Sequence, residues 1–201
     1  MKRIGIMGGT FNPIHKGHLA LAKAALREFG LNKVVFIPSG NPPHKAGDKV
    51  LDKEHRFKMV KLAIKKIKKF ITSKIEINRK GYSYAVDTFG DLRKKYGKRA
   101  KLFYIMGLDS INEILDWKKP LELFKMTEFI VGTRPGSKVR TFRRLLKFPP
   151  LEKEMDKIHL MELNENISAS EIRERLKKGQ GIARFIPRVV SKYIKENKLY
   201  Q

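Results

Sequence analysis

At 201 residues with 41% hydrophobic content, the chain is long enough for one cored domain and too apolar for intrinsic disorder. It has no cysteine, which excludes disulfides, thiolate metal sites and a cysteine nucleophile. Its 45 Lys+Arg against 20 Asp+Glu give a formal charge of +25, which fits a Lys-rich solvated surface as well as polyanionic partners such as nucleic acid, acidic lipid or phosphorylated small molecules, so charge alone decides nothing.

Met1–Ile6 passes from charge to glycine too quickly for a signal peptide, so a cytoplasmic protein is expected. No run approaches the ~18 apolar residues of a membrane span. Lys2–Met7, ending at Gly8-Gly9, predicts a strand, and Leu19, Ala22, Leu26 and Phe29 predict a helix from about His18 to Phe29. Lys33–Pro38 predicts a second strand, followed by a Gly/Pro/Asn loop through Gly47. Phe57, Val60, Ile64 and Ile67 predict a long helix near Lys53–Phe70 with lysines on its outer faces. Ser73–Ile77 predicts a weaker strand, Tyr84–Tyr96 a helix, Lys101–Met106 a buried strand, Asp109–Leu115 a helix and Phe129–Gly132 another strand. Arg134 to Glu154 is basic and irregular, fitting a short helix plus loops. Ile158–Leu163 predicts the last strand, and Ser168–Lys177 and Pro187–Glu196 two closing helices around the stop signals Gly179 and Gly181. Alternating strands and helices predict an α/β fold: an open, mostly parallel sheet with helices on both faces. Ligands in such sheets bind beyond the carboxyl ends of the strands.

The first such loop reads Gly8-Gly9-Thr10-Phe11-Asn12-Pro13-Ile14-His15-Lys16-Gly17-His18. It lacks Gly-x-Gly-x-x-Gly spacing, which disfavours a hydride-transfer enzyme. Paired glycines let a ligand approach the backbone, and His15 and His18 lie at a helix N-terminus, where free N–H groups favour an anion. The alternatives are ordinary turn-and-cap residues or a His-x-x-His metal pair, the latter disfavoured because no third ligand or glutamate base follows nearby. Ile167-Ser168-Ala169-Ser170-Glu171-Ile172-Arg173 reads either as an ordinary N-cap or as a second phosphate site with two hydroxyls and an arginine one turn on.

Together these motifs resemble the nucleotidyltransferase superfamily with the His-x-Gly-His signature, here His15-Lys16-Gly17-His18, and its companion Ile-Ser-x-Ser/Thr-x-Ile-Arg, here Ile167–Arg173. Pro42-Pro43-His44-Lys45, Tyr82–Thr88, Gly107-Leu108-Asp109 with Trp117, and Arg134-Pro135-Gly136 are similar to the bacterial nicotinate-nucleotide adenylyltransferases, from Arg3 to about Tyr200. Asn12 stands where Asp is usual, Ala169-Ser170 replaces Ser-Thr, and Ala85 replaces a Thr that in relatives helps hold the pyridine.

The resemblance implies a Rossmann-like nucleotidyltransferase domain over residues 1–201, with the helices from about residue 168 completing the ATP site. It implies adenylyl transfer from ATP to nicotinate mononucleotide, giving deamido-NAD and pyrophosphate. His15, His18 and Arg173 would be catalytic. Gly8, Gly9, Thr10, Phe11, Ser168 and Ser170, with the same His15, His18 and Arg173, would bind ATP. Asn12, His44, Lys45, Tyr84, Ala85, Gly107, Leu108, Asp109, Trp117 and Arg134 would bind the mononucleotide. Mg²⁺ would come with ATP, with no ligands from protein side chains. Asp87 reads as structural, and His55 and His159 carry no motif.

Three rivals stay open: pantetheine-phosphate adenylyltransferase, which shares the nucleotide motifs; nicotinamide mononucleotide as acceptor; and a basic nucleic-acid-binding module. The last lacks the aromatic–basic interleaving of an RNA-binding sheet, so neither nucleic acid nor a membrane is an expected partner. A homo-oligomer is compatible with the sequence.

Overall fold

The computed structural model describes residues 1–43, 50–133, 145, 147–164 and 167–200. Six strands among them form one sheet: β1 (Arg3–Gly9), β2 (Lys33–Pro38), β3 (Phe70–Thr72), β4 (Lys101–Gly107), β5 (Glu128–Thr133) and β6 (Ile158–Glu162). Their order is β3-β2-β1-β4-β5-β6, and every neighbouring pair is parallel. Parallel strands need crossovers, supplied by helices on both faces. The expected α/β fold with a Rossmann-like sheet is therefore what forms.

Side chains alternate across the strands and so separate two apolar cores. Under one face, Phe103 and Ile105 of β4 join α1 (Lys16–Glu28), α2 (Lys53–Ile64), α6 (Ala169–Lys177) and α7 (Arg188–Glu196). Under the other, Leu102, Tyr104 and Met106 meet α3 (Ala85–Tyr96), α4 (Leu108–Asn112) and α5 (Pro120–Met126). None of these helices is long and apolar enough to cross a membrane.

Two expectations are corrected. The helix foreseen to run to Phe70 stops at Ile64, and the strand foreseen at Ser73–Ile77 lies instead at Phe70–Thr72. A parallel β3 must start beside the start of β2, so the chain needs the 65–69 connection to travel back. Turns at Ile67 N–H to Ile64 C=O (2.9 Å) and Phe70 N–H to Ile67 C=O (2.9 Å) make that return. Phe70 then pairs with Val34 and packs on Phe36 with ring centroids 5.2 Å apart, while Ser73 Oγ accepts the Ile75 N–H (3.3 Å) in a turn. The buried face of α2 is also rotated: Arg56, Met59, Val60 and Ile64 point inward, and Phe57 is only half-buried under Lys74 Nζ. Helix α5 went unforeseen, and the foreseen Asp109–Leu115 helix divides into α4 and a 3₁₀ turn at Ile114–Asp116. Of the basic stretch, Pro149–Lys157 is 3₁₀, and 134–144 lies outside the described residues.

Candidate active site

The sheet opens where its connections reverse direction. β1 stays paired with β2 through Gly9 and Pro38, but its pairing with β4 ends at Ile6 and Tyr104. Beyond that point Met7–Gly9 and Ile105–Gly107 separate, and a cavity of about 370 Å³ lies between them. Such a crevice at the carboxyl ends is where open α/β sheets hold ligands. A Cβ at Gly8 would come within 3.0 Å of the Tyr104 hydroxyl, so glycine there lets the strand end approach its neighbour. Gly40 is tighter still, with a Cβ falling 2.2 Å from the Glu76 carbonyl oxygen.

At one end of the cleft, His15 caps α1. Its Nδ1 accepts the His18 N–H (3.4 Å), while His18 Nδ1 accepts the His15 N–H (3.2 Å), a reciprocal capping box built from two imidazoles. The rings stack with centroids 3.6 Å apart. With both Nδ1 atoms accepting, each neutral ring carries its proton on Nε2 and keeps a donor edge. Burial holds His15 down to about 4, and burial followed by the neighbouring His15 holds His18 well below its usual value. His18 lines the cleft, and His15 lies buried behind it. Phe11, held at φ 49, sets its ring edge-on to His18 at 5.0 Å.

The loop is pinned from three directions. Fully buried Arg56 gives Nη1 to the Thr10 carbonyl (2.7 Å), Nε to Leu51 C=O (2.8 Å) and Nη2 to Gly40 C=O (3.3 Å). Arg173 donates from Nη1 to the Asn12 carbonyl (3.0 Å) and from Nη2 to Ser170 Oγ (3.2 Å). The Lys16 N–H reaches Phe185 C=O at 2.8 Å. The two motifs foreseen as phosphate sites therefore meet, with Arg173 and Ala169 in the cleft wall beside Gly8–Asn12. Ser168 Oγ turns back onto its own helix, accepting the N–H of Ser170 (3.2 Å) and Glu171 (3.4 Å), and neither Ser168 nor Ser170 lines the cavity.

The other end is aromatic. Tyr84, Ala85, Gly107 and Trp117 line it, with Trp117 tilted against Tyr104 at 6.1 Å. A Cβ at Gly107 would meet no atom within 4 Å, so this turn faces open space. Leu108 and Asp109 begin α4 just behind the wall without lining the cavity. Lys118 Nζ lies 4.4 Å over the Tyr84 ring and pairs with Asp87 (3.1 Å) at the rim. His44, Lys45 and Arg134 lie outside the described residues.

Sequence reasoning missed several residues of this site. Arg56 was legible: it stands three and four residues before Met59 and Val60, on the apolar face of α2. Glu76 is buried in the cleft wall, where desolvation raises its carboxyl although Thr88 Oγ1 donates to it at 2.8 Å. Tyr104, its phenol pushed up by burial, and Lys118 carried no motif. His55 meets the Tyr193 hydroxyl (2.8 Å), and His159 pairs with Glu128 (2.7 Å).

A crevice between β1 and β4, with a glycine loop running into a histidine-capped helix, defines a nucleotidyltransferase-type site. Residues 6–175 match the family model described as cytidylyltransferase-like. The chain is 42% identical over 208 residues to a probable nicotinate-nucleotide adenylyltransferase of Thermoanaerobacter sp., covering 99% of this chain and 94% of the relative. It is 44% identical over 200 residues to that of Moorella thermoacetica, covering 99% and 92%. In fold it matches the Plasmodium falciparum nicotinic acid mononucleotide adenylyltransferase complexed with NaAD, with a TM-score of 0.78 at 21% identity over 100% of this chain and 98% of that one. Within the cytidylyltransferase-like class, the chain belongs to the nicotinate-nucleotide adenylyltransferase family.

Proposed function

We propose that this chain transfers the adenylyl group of ATP to nicotinate mononucleotide in NAD biosynthesis, releasing pyrophosphate and deamido-NAD. The observation that carries the reading is one continuous cleft with a glycine loop and His18 at one end and Trp117 at the other. A mononucleotide phosphate oxygen bonds to the α-phosphorus as the bond to the β-phosphate oxygen breaks, and pyrophosphate leaves with that electron pair. The nucleophile is already anionic at neutral pH, so no general base is required. Catalysis reduces to alignment and stabilisation of developing charge.

His18 donates its Nε2–H to the phosphate oxygens, and His15 fixes its orientation from behind. Gly8, Gly9, Thr10 and Phe11 bring backbone to ATP. Arg173 supplies fixed positive charge to the β- and γ-phosphates, supported by Ser170 and by the helix start that Ser168 caps. Among the described residues no group of three or more His, Asp or Glu could hold a metal. Mg²⁺ is assigned to the triphosphate and water, where it would neutralise charge. Trp117 stacks on the electron-poor pyridine, flanked by Tyr84 and Ala85. The carboxylate is assigned to backbone N–H donors at the Gly107 turn, which lines the cavity, with Leu108 and Asp109 supporting that turn from behind. Asn12, His44, Lys45 and Arg134 are assigned to the mononucleotide. The reaction is assigned to the cytoplasm.

The test is product identification. With Mg²⁺-ATP and nicotinate mononucleotide, purified protein should form deamido-NAD and pyrophosphate in equal amounts. Adenylylation of phosphopantetheine alone would show the acceptor to be wrong.

A further inference from the structure

Tyr200 is remote in sequence from the glycine loop, yet its hydroxyl lies 2.8 Å from Asn12 Oδ1. The Leu51 N–H reaches the same oxygen at 3.4 Å. A backbone N–H can only donate, so the amide oxygen must face Leu51, and the Tyr200 hydroxyl then donates to it as well. This leaves the Asn12 NH₂ group turned away from both. Asn12 lines the cleft, its Nδ2 has no hydrogen-bond partner among the described residues, and that atom is not one of the buried side-chain atoms left unpaired. Its two donor hydrogens therefore open onto the cleft.

The surrounding chain holds this arrangement firmly. Arg173 fixes the Asn12 carbonyl and Arg56 the Thr10 carbonyl, so the backbone under the amide is set. Lys198 (φ 49) and Tyr200 (φ 68) both take the left-handed conformation, around buried Leu199. Non-glycine residues hold that conformation where their surroundings over-determine it. Here it delivers the phenol to Asn12.

We propose that Tyr200 is a positioning residue: its phenol locks the Asn12 amide so that the NH₂ group donates to an oxygen of the bound nicotinate mononucleotide. This rests on the reaction proposed above. Tyr200 touches no ligand itself. Without its hydroxyl the amide is free to rotate and loses its fixed donor edge.

Tyr200→Phe keeps the ring and removes only the hydroxyl. The expected result is a rise of about three- to tenfold in KM for nicotinate mononucleotide, the scale of one hydrogen bond, with kcat and KM for ATP within about twofold of the parent. Asn12→Ala should raise the same KM at least as much, and adding Tyr200→Phe to it should add nothing, because the phenol has no amide left to hold. Should Asn12→Ala not fold, Asn12→Ser carries the same comparison. An unchanged KM in Tyr200→Phe, an equal rise for both substrates, or a full Tyr200 effect without the Asn12 amide would each overturn the proposal. A parent protein that forms no deamido-NAD brings down the reaction and, with it, the ligand named here. An active parent with a silent Tyr200→Phe overturns the positioning role alone.

Discussion

The two ends of the cleft are built by different means. The phosphate end is a short run of sequence, Gly8 to His18, held by long-range polar bonds from Arg56, Arg173 and Tyr200. The pyridine end is assembled from separate elements, with Tyr84 before α3, Gly107 closing β4 and Trp117 after a 3₁₀ turn, joined largely by apolar and aromatic packing. A site that must stabilise developing charge needs fixed donors, because dipoles that need not reorganise stabilise a transition state best. A site that holds a flat ring can rest largely on packing, with a few backbone donors to read its substituent. Substitution of His18, the donor aimed at developing charge, should therefore affect rate, whereas substitutions at the second end, and of Asn12 and Tyr200 where the first end meets the mononucleotide, should affect affinity.

The largest effect is expected from His18→Ala. It removes an Nε2–H donor directed at developing charge, so kcat should fall by on the order of 10²-fold or more, with little change in KM for ATP. Steady-state kinetics measure this, and an undiminished kcat would remove His18 from the chemistry.

The neutral state of the histidines gives a pH signature. His15 sits at about 4 in the fold against 6.5 normally, so between those values the unfolded chain takes up a proton that the folded chain refuses. Stability is then complete above 6.5 and is lost as pH falls toward 4, by up to on the order of 3 kcal/mol. Urea denaturation at about pH 8 and about pH 4.5 measures the loss. A His15→Asn variant, which can still cap α1, should lose less over the same interval. An identical acid slope in both proteins would mean that His15 is not the group responsible.

At the packing end, Trp117→Ala should weaken nicotinate mononucleotide by ~1–3 kcal/mol and leave ATP nearly untouched. Trp117 is the sole indole, so mononucleotide should also quench intrinsic fluorescence more than ATP does. Titrations beside a melting curve separate stacking from packing, since a purely structural Trp117 would weaken both ligands together. The smallest effect concerns the seam between the two ends. Gly8→Ala crowds the Tyr104 hydroxyl at 3.0 Å, which should cost about 1 kcal/mol of stability, relieved by Tyr104→Phe. A Gly8→Ala loss that persists without that hydroxyl would place the strain elsewhere.

The same contrast explains what was legible in the sequence. The strand before Gly8-Gly9, the helix after His15 and the N-cap at Ser168 follow from local patterns, so the elements and their motifs could be read directly, although the strand runs on to Gly9 and the helix already starts at Lys16. Phe70 and Ser73–Ile77 could not be separated by periodicity, because β3 is three residues long and its place is set by pairing with Val34–Phe36. α5, opening with Pro120 at its first turn, was masked by its brevity. The place of Arg56 on the buried stripe of α2 was readable, but the partners of Arg56 and Tyr200 lie far away in sequence, and no local pattern announces those contacts.

The central claim is that the aromatic end selects the acceptor on which the phosphate end then acts. Its most direct measurement is pyrophosphate release with Mg²⁺-ATP and, in parallel, nicotinate mononucleotide, nicotinamide mononucleotide and phosphopantetheine. Backbone N–H donors facing a carboxamide instead of a carboxylate are mismatched, a cost that can reach several kcal/mol. The account predicts the highest kcat/KM for nicotinate mononucleotide, a clear drop for the amide and no turnover of phosphopantetheine. Equal kcat/KM for acid and amide, or preference for phosphopantetheine, would contradict it.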